Sequence, residues 1–300
     1  MNRIGPLAIL FIIGSVWGLT IPLTKIAVST GHAALGIVLW ELIAAVLVLG
    51  AYLVWTRQGF GITRQRLVLF AVVTLTGTII PGAFSYRAAA QLPAGVMSIV
   101  IALVPLFALP VAVLLRLERL QIRRVAGVAL GAVAVILIVG PDTALPDPSK
   151  AGFVLLAMIA PMCYGIEGNY VSLRGSEGLS PVQTLFGASL LGIFLVLPMV
   201  AVSGEWVNLY VVWGAQEWAL SAVIVLHIAA YAGYLGLVGR AGSVFASQVA
   251  YIVTITGILW SIGLLAEGYS VWIWASLICL LIGVSLVLPN PKSVEAEGQL

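Results

Sequence analysis

The sequence predicts an all-α membrane protein: ten transmembrane helices in two inverted five-helix repeats, with the N- and C-termini cytoplasmic. Composition, spacing and an internal duplication carry that expectation. Of the 300 residues, 62% are hydrophobic and 8% charged, and the mean hydropathy is +1.15. A soluble chain of this length needs roughly 25% charged residues to cover its surface. Soluble enzymes and nucleic-acid binders are thereby excluded. Cys163 and Cys279 both lie in apolar runs, so neither a disulfide framework nor a zinc site is expected.

A bilayer core is crossed by about 20 apolar residues in a helix. Division at charges and turn residues gives ten such stretches, at residues 5–27, 33–55, 67–89, 93–115, 122–140, 151–173, 180–203, 217–239, 242–265 and 269–289. The strands of a membrane β-barrel would alternate in polarity and run to only about ten residues each. The second and third stretches are joined by TRQGFGITRQR, the fourth and fifth by RLERLQIRR, the fifth and sixth by PDTALPDPSK and the sixth and seventh by LRGSEGLSP. None of these joints can hold a further domain. The first stretch follows a basic start, as in a signal peptide, but it is too long for such a segment and nine more follow, so it reads as a retained helix.

Orientation follows from Lys and Arg. With the N-terminus inside and the sides alternating, every one of the 14 basic residues except Lys25, Arg87 and Lys150 falls on the cytoplasmic side. A miscounted central helix would blur that contrast.

The halves also resemble each other. LRLERL (115–120) falls on LLAEGY (264–269) at an offset of 149, which puts Glu118 on Glu267 and Ser98 on Ser247. Trp17-Gly18 falls on Tyr164-Gly165 at an offset of 147. Five helices per unit is an odd number, so the second copy enters from the opposite face, an arrangement associated with alternating-access transporters. The units are expected at 1–140 and 151–289, with an outer linker at 141–150 and a cytoplasmic tail at 290–300.

GSVWGLTIPLTKIAV in the first helix, and AFSYRAAAQLPAGVMSIVIALVPLFALPVAVLLRLERLQIRRVAGVALGAVAVILIVG over helices three to five, resemble the drug/metabolite transporters of the EamA type. The resemblance extends over all ten helices. It implies a central cavity lined largely by helices 1, 3, 4, 6, 8 and 9, and movement of small metabolites, often amino-acid-like and commonly by export. The sequence departs from that pattern at Tyr164, which replaces the tryptophan, at Thr254, which stands where the first copy has Pro105, and at Trp40-Glu41, where many relatives have arginine-phenylalanine.

An ionisable residue in mid-membrane costs about 2.5–3.5 kcal/mol on insertion scales and needs a partner or a wet cavity. By helical rise, His227 lies roughly 15 Å into the eighth span, Glu41 roughly 12 Å from the outer face and Glu167 roughly 24 Å along the sixth span. His227, Tyr231 and Tyr234 share one helical stripe, as do Ser247, Tyr251 and Thr254, with Gln248 beside them. Such stripes can line a cavity or simply join helices. The expected substrate-binding set is Trp17, Tyr164, Glu167, Asn169, His227, Tyr231, Tyr234, Ser247, Gln248 and Tyr251. Glu167, His227 and Glu41 are the groups able to carry a coupling proton. Lys25 and Arg87, near outer helix ends, are expected to snorkel to water.

These residues predict a secondary transporter in a prokaryotic inner (plasma) membrane, exporting an amino acid or a similar zwitterionic or amphipathic solute. The alternatives are an uncoupled facilitator or channel, a structural subunit, or an intramembrane enzyme. An enzyme is disfavoured: there is no H-E-x-x-H, the two histidines cannot make a His-rich metal site, and Ser243 falls too far from His227 for a dyad. No cofactor and no metal are expected. The expected partners are a small-molecule substrate, the lipid bilayer and, where transport is coupled, protons; nucleic acid is not among them. The chain is expected as a monomer or a homodimer.

Overall fold

A computed structural model describes residues 4–29, 31–241, 245 and 248–287. Its helices are α1 (Ile4–Ala27), α2 (Ala34–Trp55), α3 (Arg64–Gln91), α4 (Ala94–Leu114), α5 (Ile122–Val139), α6 (Pro148–Arg174), α7 (Pro181–Ser203), α8 (Ala215–Ala241), α9 (Val249–Leu265) and α10 (Val271–Val287). No strand occurs among the described residues. Seven helices, α1 to α7, are long and apolar enough to cross a membrane, and the apolar segments Ala215–Tyr231, Val249–Leu265 and Val271–Val287 are shorter. Large apolar side chains point outward all around the molecule, among them Phe11, Leu47, Phe194, Val225 and Ile278. Such a surface suits hydrocarbon and would aggregate in water.

The packing exchanges the two halves. Helix α1 packs on α8 and α9, and α6 packs on α3 and α4. The pairs α2–α7, α5–α10 and α4–α9 each join a helix to one in the other half. Moving every helix number by five turns α1–α8 into α6–α3 and α1–α9 into α6–α4, and maps α2–α7, α5–α10 and α4–α9 onto themselves. Small residues permit these crossings. A Cβ on Gly127 of α5 would lie 2.5 Å from the Gly283 carbonyl oxygen of α10, and a Cβ on Gly283 would lie 2.7 Å from that of Gly127. Beside them the buried Ser276 hydroxyl donates to the Ala134 carbonyl at 2.7 Å. Because backbone opposes backbone here, Gly127→Val is expected to lower stability by about 1–3 kcal/mol, the usual cost of overpacking. Thermal unfolding in detergent measures this, and an unchanged midpoint would refute it.

Three prolines break regular helix, each at the turn it disrupts. A proline inside a helix removes one N–H and crowds the carbonyl four residues back. Pro105 follows the interruption of α4 after Ile101, and Pro161 follows that of α6 after Ala157. Pro81 follows the π turn Leu75–Ile79 in α3. Pro22, Pro110 and Pro198 lie in unbroken helix. The three interrupted helices pack on one another, α3 and α4 against α6.

Candidate functional site

Where these interrupted helices meet, polar side chains gather. Glu41 of α2 accepts a hydrogen bond from the Tyr86 hydroxyl of α3. Neighbouring Trp40 fixes this part of α2 by donating its indole N–H to the Val207 carbonyl at 3.0 Å. Tyr164 of α6 lies within electrostatic reach of both Glu41 and Glu167. Glu167, one turn further along α6, rests its carboxylate on Gly77 in the π turn of α3.

A second group joins α1 to α8. Thr20 is buried; its hydroxyl donates to the Trp17 carbonyl at 2.6 Å and stands 3.3 Å from His227 Nε2. The Trp17 ring meets Tyr234 edge-on, with centroids 6.3 Å apart. Tyr231 links the groups, lying within electrostatic reach of both Glu167 and Tyr234. Thr20 is the duplication partner of Glu167 at the offset of 147, and α1–α8 is the counterpart of α3–α6. The repeat has thus placed a hydroxyl facing an imidazole in one half and a carboxylate facing bare backbone in the other.

Of the expected binding set, the structure brings together Trp17, Tyr164, Glu167, His227, Tyr231 and Tyr234, with Glu41 alongside. Asn169 is engaged elsewhere, because its amide donates to the Ala108 carbonyl at 2.9 Å and to the Gly165 carbonyl at 2.8 Å, stapling α6 to α4. There a Cβ on Gly165 would come within 2.9 Å of the Ala108 nitrogen. Gln248 flanks the start of α9, and Tyr251 packs on the apolar core from the first turn of that helix. Ser247 lies outside the described residues.

Tyr86, Thr20 and Gly77 complete the site and were not among the expected residues. Tyr86 had a signal available: it falls on Tyr234 at an offset of 148, between the two offsets that align the halves.

The end of the bundle expected to face outward carries its own polar cluster. Leu92 precedes Pro93 and is extended, with φ −98° and ψ 153°, which ends α3 at Gln91. Lys25 does not snorkel freely; it donates to the Ala89 and Ala90 carbonyls at 2.8 and 3.0 Å. Glu267 accepts from the Ala94 and Gly95 N–H groups at 2.9 and 3.3 Å, capping α4. Tyr269 donates to Glu267 and accepts from the Gly95 N–H at 3.0 Å. A cavity of about 260 Å³ opens beside this elbow, lined by Lys25, Gln91, Asp147, Lys150 and Glu267 among others. Asp147 holds its carboxyl below the usual aspartate range by accepting from the Ser149 hydroxyl. Arg87, also expected to snorkel, pairs with Glu205 at 2.7 Å. No group of three or more His, Cys, Asp or Glu residues suited to a metal ion occurs among the described residues.

Comparison with known proteins agrees with this architecture. Among curated proteins none matches the chain significantly. A solved structure described as "Crystal structure of protein" is similar at 16% identity, with 93% of this chain and 97% of that chain covered and a TM-score of 0.60, which speaks for the fold. The profile of the EamA-like transporter family matches twice, over residues 5–140 and 152–288. With both halves matched, and with helices suited to a bilayer, the chain belongs to the EamA-like transporter family as a multi-pass membrane protein of two repeats.

Proposed function

We propose that this transporter carries a small amino-acid-like solute across a prokaryotic cell membrane by alternating access, in the direction of export. In this reading all ten helices span the bilayer, the halves are inverted, and both termini are cytoplasmic. The observation that carries the substrate class is the site itself: Glu41 and Glu167 stand among Tyr86, Tyr164 and Tyr231, with no lysine or arginine in the group among the described residues. A sugar phosphate or an organic dianion asks for converging cations. A zwitterion or an apolar amine asks for a carboxylate, hydroxyls and aromatic faces. Glu41, held by Tyr86, and His227, beside Thr20, remain to carry a coupling proton.

Counterflow in proteoliposomes tests this. Labelled phenylalanine outside is expected to enter faster when unlabelled phenylalanine is trapped inside, as a carrier requires and a channel does not show. Exchange driven only by sugar phosphates or dianions would overturn the substrate class, and flux without acceleration by trapped solute would overturn the carrier.

A further inference from the structure

Glu167 is seated in a way that its own helix does not explain. A Cβ on Gly77 would lie 2.7 and 2.8 Å from the two Glu167 carboxylate oxygens and 2.9 Å from the carbon between them. The carboxylate therefore occupies space that any residue other than glycine would fill. Gly77 is the central residue of the π turn Leu75–Ile79, a rare geometry that recurs at functional sites. Pro81, four residues on, has no N–H, so the Gly77 carbonyl lacks its α-helical donor. The nearby Thr76 hydroxyl is committed to the Val72 carbonyl at 2.7 Å. Among the described residues no hydrogen bond reaches the Glu167 carboxyl. A carboxylate with no described donor and a carbonyl whose α-helical donor is replaced by proline thus lie on the same turn.

Resting on the reading of an amino-acid-like solute, we infer that Glu167 and the π turn of α3 form a seat for a primary ammonium group, with Gly77 as the residue that positions the carboxylate. The three N–H donors of an ammonium match the two carboxylate oxygens and the Gly77 carbonyl. Tyr164 and Tyr231 are both within electrostatic reach of Glu167. A hard divalent ion asks for about six oxygens or more, beyond what this seat supplies. A quaternary ammonium has no N–H to give.

Carbodiimide modification of Glu167, followed by peptide mass spectrometry on the full chain in lipid nanodiscs, tests the seat directly. Methylammonium chloride is expected to slow total modification of Glu167 about tenfold, as a site roughly nine-tenths occupied does, whereas tetramethylammonium and sodium chloride leave it unchanged. Total modification counts the N-acylurea together with the methylamide that free methylamine forms from the activated carboxyl with release of the urea. Gly77→Ala displaces only the end of a flexible side chain, so the protein should unfold at the wild-type temperature and lose the protection. Equal protection by sodium or tetramethylammonium, no protection by any cation, or full protection in Gly77→Ala would each overturn the inference. The cation series on the unaltered protein decides the matter even where Gly77→Ala fails to fold. Protection lost with phenylalanine exchange intact removes the seat alone; protection kept without exchange removes the transport reading alone.

Discussion

Glu167→Gln is expected to cut phenylalanine exchange at least tenfold while leaving the fold intact. Glutamine keeps the length, the planar end and the fit against Gly77, and no described residue donates to the carboxyl, so no partner is orphaned by the change. What is lost is the charge. A tenfold fall corresponds to about 1.4 kcal/mol of binding or barrier, a modest demand for a charge facing an ammonium in a poorly solvated site. Were the carboxyl only a link between α6 and α3, the amide would serve as well, and exchange would stay within about twofold of wild type. Initial rates of counterflow from about pH 5.5 to about 8, where a histidine also titrates, separate the cases. Wild-type rates throughout would remove Glu167 from the mechanism.

The sequence made part of this site legible through two regularities. Helical spacing put His227, Tyr231 and Tyr234 on one stripe, and the structure finds His227 and Tyr234 of that stripe facing α1. The near-147 offset tied Trp17 to Tyr164 and Thr20 to Glu167, and the packing of α1 on α8 and α6 on α3 answers it. The rest depended on what spacing does not encode. Asn169 shares a helix with Glu167, but a close α4–α6 approach at Gly165 brings the Ala108 carbonyl to its amide, and the side chain is spent there. Lys25 and Arg87 looked like snorkelling cations because each stands near a helix end. Their partners, the last carbonyls of α3 and Glu205, come from other segments, which no local pattern reveals. The prolines show the same limit. Pro81, Pro105 and Pro161 interrupt their helices and Pro22, Pro110 and Pro198 do not, although nothing in their immediate neighbours separates the two sets. Gly77 was one glycine among 32 until the carboxylate above it appeared.

Glu267→Ala is expected to release the elbow between α3 and α4 and so open the end of the bundle proposed to face outward. That elbow is clamped from two sides: Lys25 on the last carbonyls of α3, and Glu267 with Tyr269 on the first N–H groups of α4. Backbone groups at helix ends need such partners, and removal of a side-chain cap costs about 0.5–2 kcal/mol. If the clamp is made in the closed state and broken in the open one, a loss of about 1.4 kcal/mol moves the balance tenfold toward open. Its duplication twin behaves differently: Glu118 pairs with Arg124 at 2.7 Å, so the two matching carboxylates are engaged unequally, as the proposed alternating access requires of a single state. A cysteine at buried Ala94, in a chain with Cys163 and Cys279 replaced by serine, reports the change. Alkylation by an impermeant maleimide from outside should rise about tenfold in Glu267→Ala. Glu118→Ala should leave it unchanged, because its ion pair is remote from this elbow. Equal rates with and without the Glu267 carboxylate would show that the cap is structural and that the outer end is held shut by packing alone.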